Sequence, residues 1–116
     1  MHSIGSAVPK DAFTMGEEVW LLGSTVPSHS NAEYVLADYR VIAAKPKTLS
    51  FEDASAIPLA GLTAWELFEQ LRIGDEKGAI LVINGAGGVG SIATQLARNV
   101  YGLPAVISTA SFISRT

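Results

Sequence analysis

The run Ala79-Ile80-Leu81-Val82-Ile83-Asn84-Gly85-Ala86-Gly87-Gly88-Val89-Gly90-Ser91-Ile92-Ala93 decides the fold class of this chain. Its first five residues are apolar at every position, the pattern of a strand covered on both faces and hence of a parallel sheet. Four of the chain's eleven glycines then fall within six positions, between Gly85 and Gly90. From Val89 onwards, Val89, Ile92, Ala93, Leu96, Ala97 and Val100 recur along one helical face, and Gly102 is placed to end that helix. Ala105-Val106-Ile107-Ser108-Thr109 reads as the next strand. The unit predicted is β-α-β, and the fold class is α/β with a parallel sheet.

The glycines match G-x-G-x-x-G, a pattern that is weak alone and gains its meaning from a strand before it, a helix after it and a second strand closing the unit. Each glycine has a physical reason. Gly85 permits a tight turn, Gly87 lets the backbone approach a pyrophosphate, and Gly90 lets the helix pack closely on the strand. The first-turn amides of Gly88, Val89 and Gly90 then point at the phosphates. The bland alternative is a glycine-rich turn that only packs tightly. A nucleotide triphosphate loop of the form G-x-x-x-x-G-K-[ST] fits through Gly90 and then fails, because Ser91 stands at the lysine position and Ile92 at the Mg²⁺-binding hydroxyl.

The end of the second strand bears on the choice of dinucleotide. An NAD site usually carries Asp or Glu about 20 residues beyond the glycines, where it bonds the ribose 2′-hydroxyl. Here the region is Ser108-Thr109-Ala110-Ser111-Phe112, without an acid, and Arg115 is the nearest cation. Small hydroxyls leave room for a 2′-phosphate and can donate to it, which favours NADP(H) over NAD(H). They are also ordinary residues for the end of a strand.

Upstream, Glu18-Val19-Trp20-Leu21-Leu22 and Glu33-Tyr34-Val35-Leu36-Ala37 read as strands, joined by a loop of turn formers over Ser24 to Asn31. Val41-Ile42-Ala43 is a third, leaving through Lys45-Pro46-Lys47. The period then changes. Ser50 and Asp53 have the spacing of a capping box, and Ala54, Ile57, Leu62, Trp65, Phe68 and Leu71 follow at helical intervals. Pro58 breaks that run, so the prediction is a short helix, a bend, and a longer helix ending near Gly74, with a turn over Asp75 to Gly78.

Composition limits the rest. The chain has 116 residues, is 48% hydrophobic and only 16% charged, and carries a net charge of -3, so it is globular in make-up and lacks the basic cluster that nucleic-acid binding needs. It has no cysteine, which excludes a disulfide framework and a thiolate zinc site and fits a reducing, cytoplasmic compartment. The longest uncharged stretch, Gly78 to Ala97, is twenty residues long, but its glycines, Asn84, Ser91, Thr94 and Gln95 make it a poor membrane helix. No membrane partner is expected. His2 and His29 have no Asp, Glu or Cys at ligand spacing. The pairs Glu17-Glu18, Glu52-Asp53 and Asp75-Glu76 suit turns and helix starts better than acid-base work. Trp20, Tyr34 and Trp65 are candidates for a substrate cleft or simply for the core.

With these residues placed, the chain resembles the medium-chain dehydrogenase/reductase superfamily in its quinone oxidoreductase and zinc-type alcohol dehydrogenase-like branch. The resemblance rests on Gly16-Glu17-Glu18-Val19-Trp20, Asn31-Ala32-Glu33-Tyr34, Lys45-Pro46, Leu59-Ala60-Gly61-Leu62-Thr63-Ala64-Trp65 and the glycine loop, in the family's order and spacing. It implies that residues 1–55 are the C-terminal part of a GroES-like substrate domain and that 56–116 begin a Rossmann domain. Thr63 matches a threonine near the nicotinamide, and Gly88, Val89 and Gly90 match the backbone that holds the pyrophosphate. Ser111 matches a serine at the 2′-phosphate pocket, while Phe112 stands where this branch often has arginine. Leu59 lies near the position of a zinc-ligating cysteine in the zinc-dependent relatives, and a hydrocarbon side chain cannot take that role. The resemblance therefore implies an NADPH-dependent, zinc-independent reductase of quinones, alkenals or similar small enones, homo-oligomeric in its complete form. The length implies a piece of such an enzyme with little or no turnover alone. A non-catalytic nucleotide-binding or scaffold protein is the alternative.

Overall fold

The computed structural model describes residues 1–23, 32–73 and 78–111. It divides into two compact units, Met1–Pro58 and Leu59–Thr116. The expected loop over Ser24 to Asn31, with His29, the turn after Gly74, and Phe112 and Arg115 lie outside the described residues.

The first unit is built on a short antiparallel ladder. Strand β1, Val19–Leu21, pairs with β2, Ile42–Ala44, in the register Val19 to Ala44, Trp20 to Ala43 and Leu21 to Ile42. Glu33 to Ala37 is not a strand. Its side chains favour a pleated, half-buried surface, yet Tyr34 and Leu36 are 68% and 95% exposed, and no described strand offers this stretch a ladder. Tyr34 instead lies beside the His2 ring, with centroids 4.8 Å apart. The chain then tightens into a 3-10 turn, Tyr39–Val41, whose N-cap Asp38 accepts from the Arg40 amide at 3.0 Å. The hydrogen bond and charge of the Arg40 side chain hold the Asp38 carboxyl down to about 2.

Lys45 is the one buried charge among the described residues of the core and rim. Its ammonium donates to the carbonyls of Pro46 and Leu49, pairs with Glu18 Oε2 at 3.2 Å and lies 5.1 Å from the Phe51 ring centroid. The proline exit from β2 is thus tied back onto β1 and forward onto the turn before the next helix. Lys45→Met keeps the hydrocarbon stem and removes the donor that the Leu49 carbonyl uses, while the Pro46 carbonyl keeps the Leu49 amide. The expected cost is about 1–3 kcal/mol in urea unfolding. Glu18→Gln, at the exposed end of the pair, should cost less than about 1 kcal/mol. Equal stability of Lys45→Met and the parent would contradict this role.

Helix α1, Phe51–Ser55, starts as the capping spacing predicts, with Ser50 Oγ accepting from the Asp53 amide at 3.1 Å. Helix α2, Pro58–Gln70, opens on proline, which tolerates a first-turn position because its missing N–H would be unpaired there. This helix ends four residues before Gly74. Arg72 takes a left-handed φ of 52°, and the amides of Arg72 and Ile73 return to the Glu69 and Phe68 carbonyls, a Schellman closure made with arginine in glycine's usual place.

The rest of the second unit is the β-α-β unit. Strand β3, Ala79–Val82, runs parallel to β4, Ala105–Ser108, with helix α3, Gly88–Asn99, between them. Gly102 at a φ of +62° turns the chain out of α3, and the Leu103 amide returns to the Ala97 carbonyl. The core gathers Ala64, Phe68, Val82, Ala93, Ala97 and Leu103, with Ile80 and Val106 packed against it. The expectation that β3 is covered on both faces does not hold within the described residues. Ile80 and Val82 face the core, whereas Leu81, Ile83 and Ile107 are 57%, 69% and 58% exposed. Leu81 and Ile107 are cross-strand partners, so the outer face of this two-stranded sheet is uniformly apolar. Among the described residues no helix is long and apolar enough to cross a membrane.

Candidate functional site

The glycine loop is held at the carboxyl ends of β3 and β4. Asn84, two residues past the end of β3, takes a left-handed φ of 57°, which asparagine tolerates better than most residues. Its carbonyl accepts from the Gly87 amide at 2.9 Å, closing the turn that starts the loop. A β-carbon on Gly90 would overlap that same carbonyl oxygen and lie 2.8 Å from Gly85 Cα. A β-carbon on Gly85 would overlap Ser108 Oγ, and one on Gly87 would lie 2.7 Å from Asn84 Nδ2. Gly88 differs, with open space where its β-carbon would be. The three motif glycines are thus required by close approach of protein to protein, before any ligand is considered.

Helix α3 starts at this turn with Gly87 as N-cap, and glycine brings no side chain to satisfy the first amides. Ser91 N–H closes onto the Gly87 carbonyl at 2.8 Å, while Gly88, Val89 and Gly90 have no carbonyl a full turn behind them inside the helix. The Ser91 hydroxyl turns back to the Gly88 carbonyl at 3.0 Å and Thr94 Oγ1 to that of Gly90 at 2.8 Å. No charged residue occurs in the sequence from Gly78 to Ala97, so what this segment itself brings to the helix end is its backbone amides and the helix dipole. Such an end is suited to an anion.

The exit of β4 is joined to the loop more closely than the sequence indicates. Thr109 N–H donates to the Val82 carbonyl at 3.0 Å, its carbonyl accepts from Gly85 at 2.7 Å, and its hydroxyl accepts from the Asn84 amide at 3.0 Å. Ser108 and Thr109 are therefore turned towards the loop, and Ser111 is the exposed hydroxyl left beyond the strand. Thr63 stands on a different element, α2, with its hydroxyl donating to the Leu59 carbonyl at 2.8 Å, and Leu59 is exposed. Trp65 is partly exposed with its ring 6.2 Å from that of Tyr101. Tyr101 donates to Glu69 at 3.2 Å, and desolvation followed by that bond raises its phenol. Among the described residues no group of three or more His, Asp or Glu side chains is gathered as a metal site. The sequence reading overlooked Asn84, whose only signal was an asparagine between a buried strand and a glycine motif.

No protein-family model matches the chain. It is 49% identical over 117 residues to a zinc-type alcohol dehydrogenase-like protein of Staphylococcus epidermidis, across 96% of this chain and 34% of that protein. It is 46% identical over 82 residues to the NADPH-dependent alkenal/one oxidoreductase, chloroplastic, of Arabidopsis thaliana, across 71% of this chain and 21% of that protein. Among solved structures it is similar to an alcohol dehydrogenase superfamily protein from Novosphingobium aromaticivorans, with a TM-score of 0.78 and 30% identity over 96% of this chain and 33% of that one. The quinone oxidoreductase from Coxiella burnetii gives a TM-score of 0.73 and 36% identity, over 95% and 33% respectively. The chain matches a fragment of the medium-chain dehydrogenase/reductase superfamily, in the branch of the zinc-type alcohol dehydrogenase-like proteins and quinone oxidoreductases. It spans about a third of the length of the first of these relatives.

Proposed function

We propose that this chain carries the dinucleotide-holding part of an NADPH-dependent, zinc-independent oxidoreductase that reduces quinones, alkenals or similar small enones. The observation that carries the reading is the cradle at the start of α3. Gly85, Gly87 and Gly90 are packed where β-carbons would collide, and the helix end they open has no side-chain cap and lies within a stretch of sequence that carries no charge. These residues fit a diphosphate, which the amides of Gly88, Val89 and Gly90 would hold.

The nicotinamide supplies hydride when bound. What this chain contributes is binding and orientation: the glycine loop fixes the diphosphate, Ser111 meets the 2′-phosphate, and Thr63 helps to place the ring. Two relatives named for quinone and for NADPH-dependent alkenal/one reduction support the substrate class and the cofactor. Leu59, near the position where the resemblance places a zinc-ligating cysteine, supports a mechanism without zinc. In this reading residues 56–116 begin a Rossmann domain and 1–55 end a GroES-like one, within a cytoplasmic homo-oligomeric enzyme.

Calorimetric titration of the chain with NADPH and NADH tests the proposal. NADPH is expected to bind at least about tenfold more tightly, the scale of one well-placed charged contact. Tighter NADH binding would overturn the cofactor choice, and no binding of either would overturn the site. Binding without quinone- or alkenal-dependent NADPH oxidation by the complete enzyme would favour a non-catalytic nucleotide-binding role.

A further inference from the structure

We infer that Thr109 is a positioning residue for the glycine loop, setting the shape of the diphosphate cradle without touching the nucleotide; this rests on the dinucleotide reading above. Thr109 places all three of its polar groups on the junction between β3 and the loop. Its N–H is bonded to Val82, its carbonyl to Gly85 and its hydroxyl to the Asn84 amide. The two main-chain bonds prolong the β3–β4 ladder and survive any substitution that keeps the strand. The hydroxyl bond does not, and it holds the peptide that leads into Asn84. Asn84 is held in a left-handed conformation, and its carbonyl both closes the turn through Gly87 and lies against Gly90. With the Asn84 N–H bonded to its hydroxyl and the Gly85 N–H to its carbonyl, Thr109 holds both peptides that flank Asn84, and so the direction of the carbonyl on which the loop is folded. Thr109 is also two residues before Ser111, so one residue links the loop to the stretch assigned to the 2′-phosphate.

The test compares Thr109→Val with Thr109→Ser in the full chain. Valine keeps the shape and strand preference and removes the acceptor, whereas serine restores it. Thr109→Val should weaken NADPH binding about fivefold or more and speed exchange of the Asn84 amide by a similar factor, with little change in thermal midpoint. Thr109→Ser should lie within about twofold of the parent in both measurements. Valine and serine behaving alike, or unchanged Asn84 exchange in Thr109→Val, would overturn the assignment. If the parent binds no NADPH, the dinucleotide reading fails by itself, and the exchange measurement still decides whether the hydroxyl holds the loop.

Discussion

Gly90→Ala is expected to destabilise the second unit by about 3 kcal/mol or more and to abolish measurable nucleotide binding. The added β-carbon meets the Asn84 carbonyl oxygen and Gly85 Cα, both backbone atoms that no rotamer change can move. Relief requires α3 to back away from the end of β3, which opens the core and spoils the turn together. Neighbouring glycines provide the controls. At Gly85 the overlap is with Ser108, whose Oγ can rotate away but whose Cβ, 2.8 Å from the new carbon, cannot, so Gly85→Ala should cost less than Gly90→Ala but still about 2 kcal/mol. At Gly88 nothing lies within 4 Å of the new carbon, and alanine is the better helix former, so Gly88→Ala should leave stability unchanged or raise it by up to about 1 kcal/mol. Urea unfolding gives the order Gly90, Gly85, Gly88. A Gly90→Ala protein as stable as Gly88→Ala would show that the close approach is not real.

That contrast marks how far the sequence could be read. The β-α-β unit was legible because three signals agree there: a short apolar run, a glycine cluster and a helical apolar stripe from Val89 to Val100. The Ser50 cap and the break at Pro58 were legible because each acts on its nearest neighbours only. Glu33 to Ala37 was misread because strand preference expresses what surface a segment packs against, and here the side chains meet solvent. The end of α2 was misplaced because a glycine was expected where Arg72 closes the helix. Coverage of β3 could not be read from its own residues, since an all-apolar run states what the strand tolerates and not what neighbours it has. At the candidate site the glycines carried their own meaning, whereas Ser108 and Thr109 did not. Their hydroxyls read as room for, and donors to, a 2′-phosphate or as ordinary strand-end groups, and it takes the tertiary contacts to show Ser108 Oγ beside Gly85 and Thr109 Oγ1 on the Asn84 amide.

Phe68→Ala should be as costly as Gly90→Ala, through the opposite defect. Phe68 is 1% exposed and is the largest fully buried side chain of the chain's described residues. Around it stand Ala64, Ala93 and Ala97, with Tyr101 at a ring distance of 5.1 Å. Three of the five other buried residues of this cluster are alanines, which have no rotamers with which to fill a void, so much of the space left by the ring would stay open, and the expected loss is about 3–5 kcal/mol. A domain's whole stability is only about 5–15 kcal/mol, so the unit would be left close to unfolding. Phe68→Leu, which keeps most of the volume, should lose about 1–2 kcal/mol. Urea titrations followed by far-ultraviolet circular dichroism read both losses, and near-equal midpoints for the two variants would mean that the core collapses around the gap. Phe68 of α2, Val82 of β3 and Ala93 and Ala97 of α3 are buried in one cluster, so a void at Phe68 should also loosen the seating of α3 on β3 from which Gly90 meets Asn84.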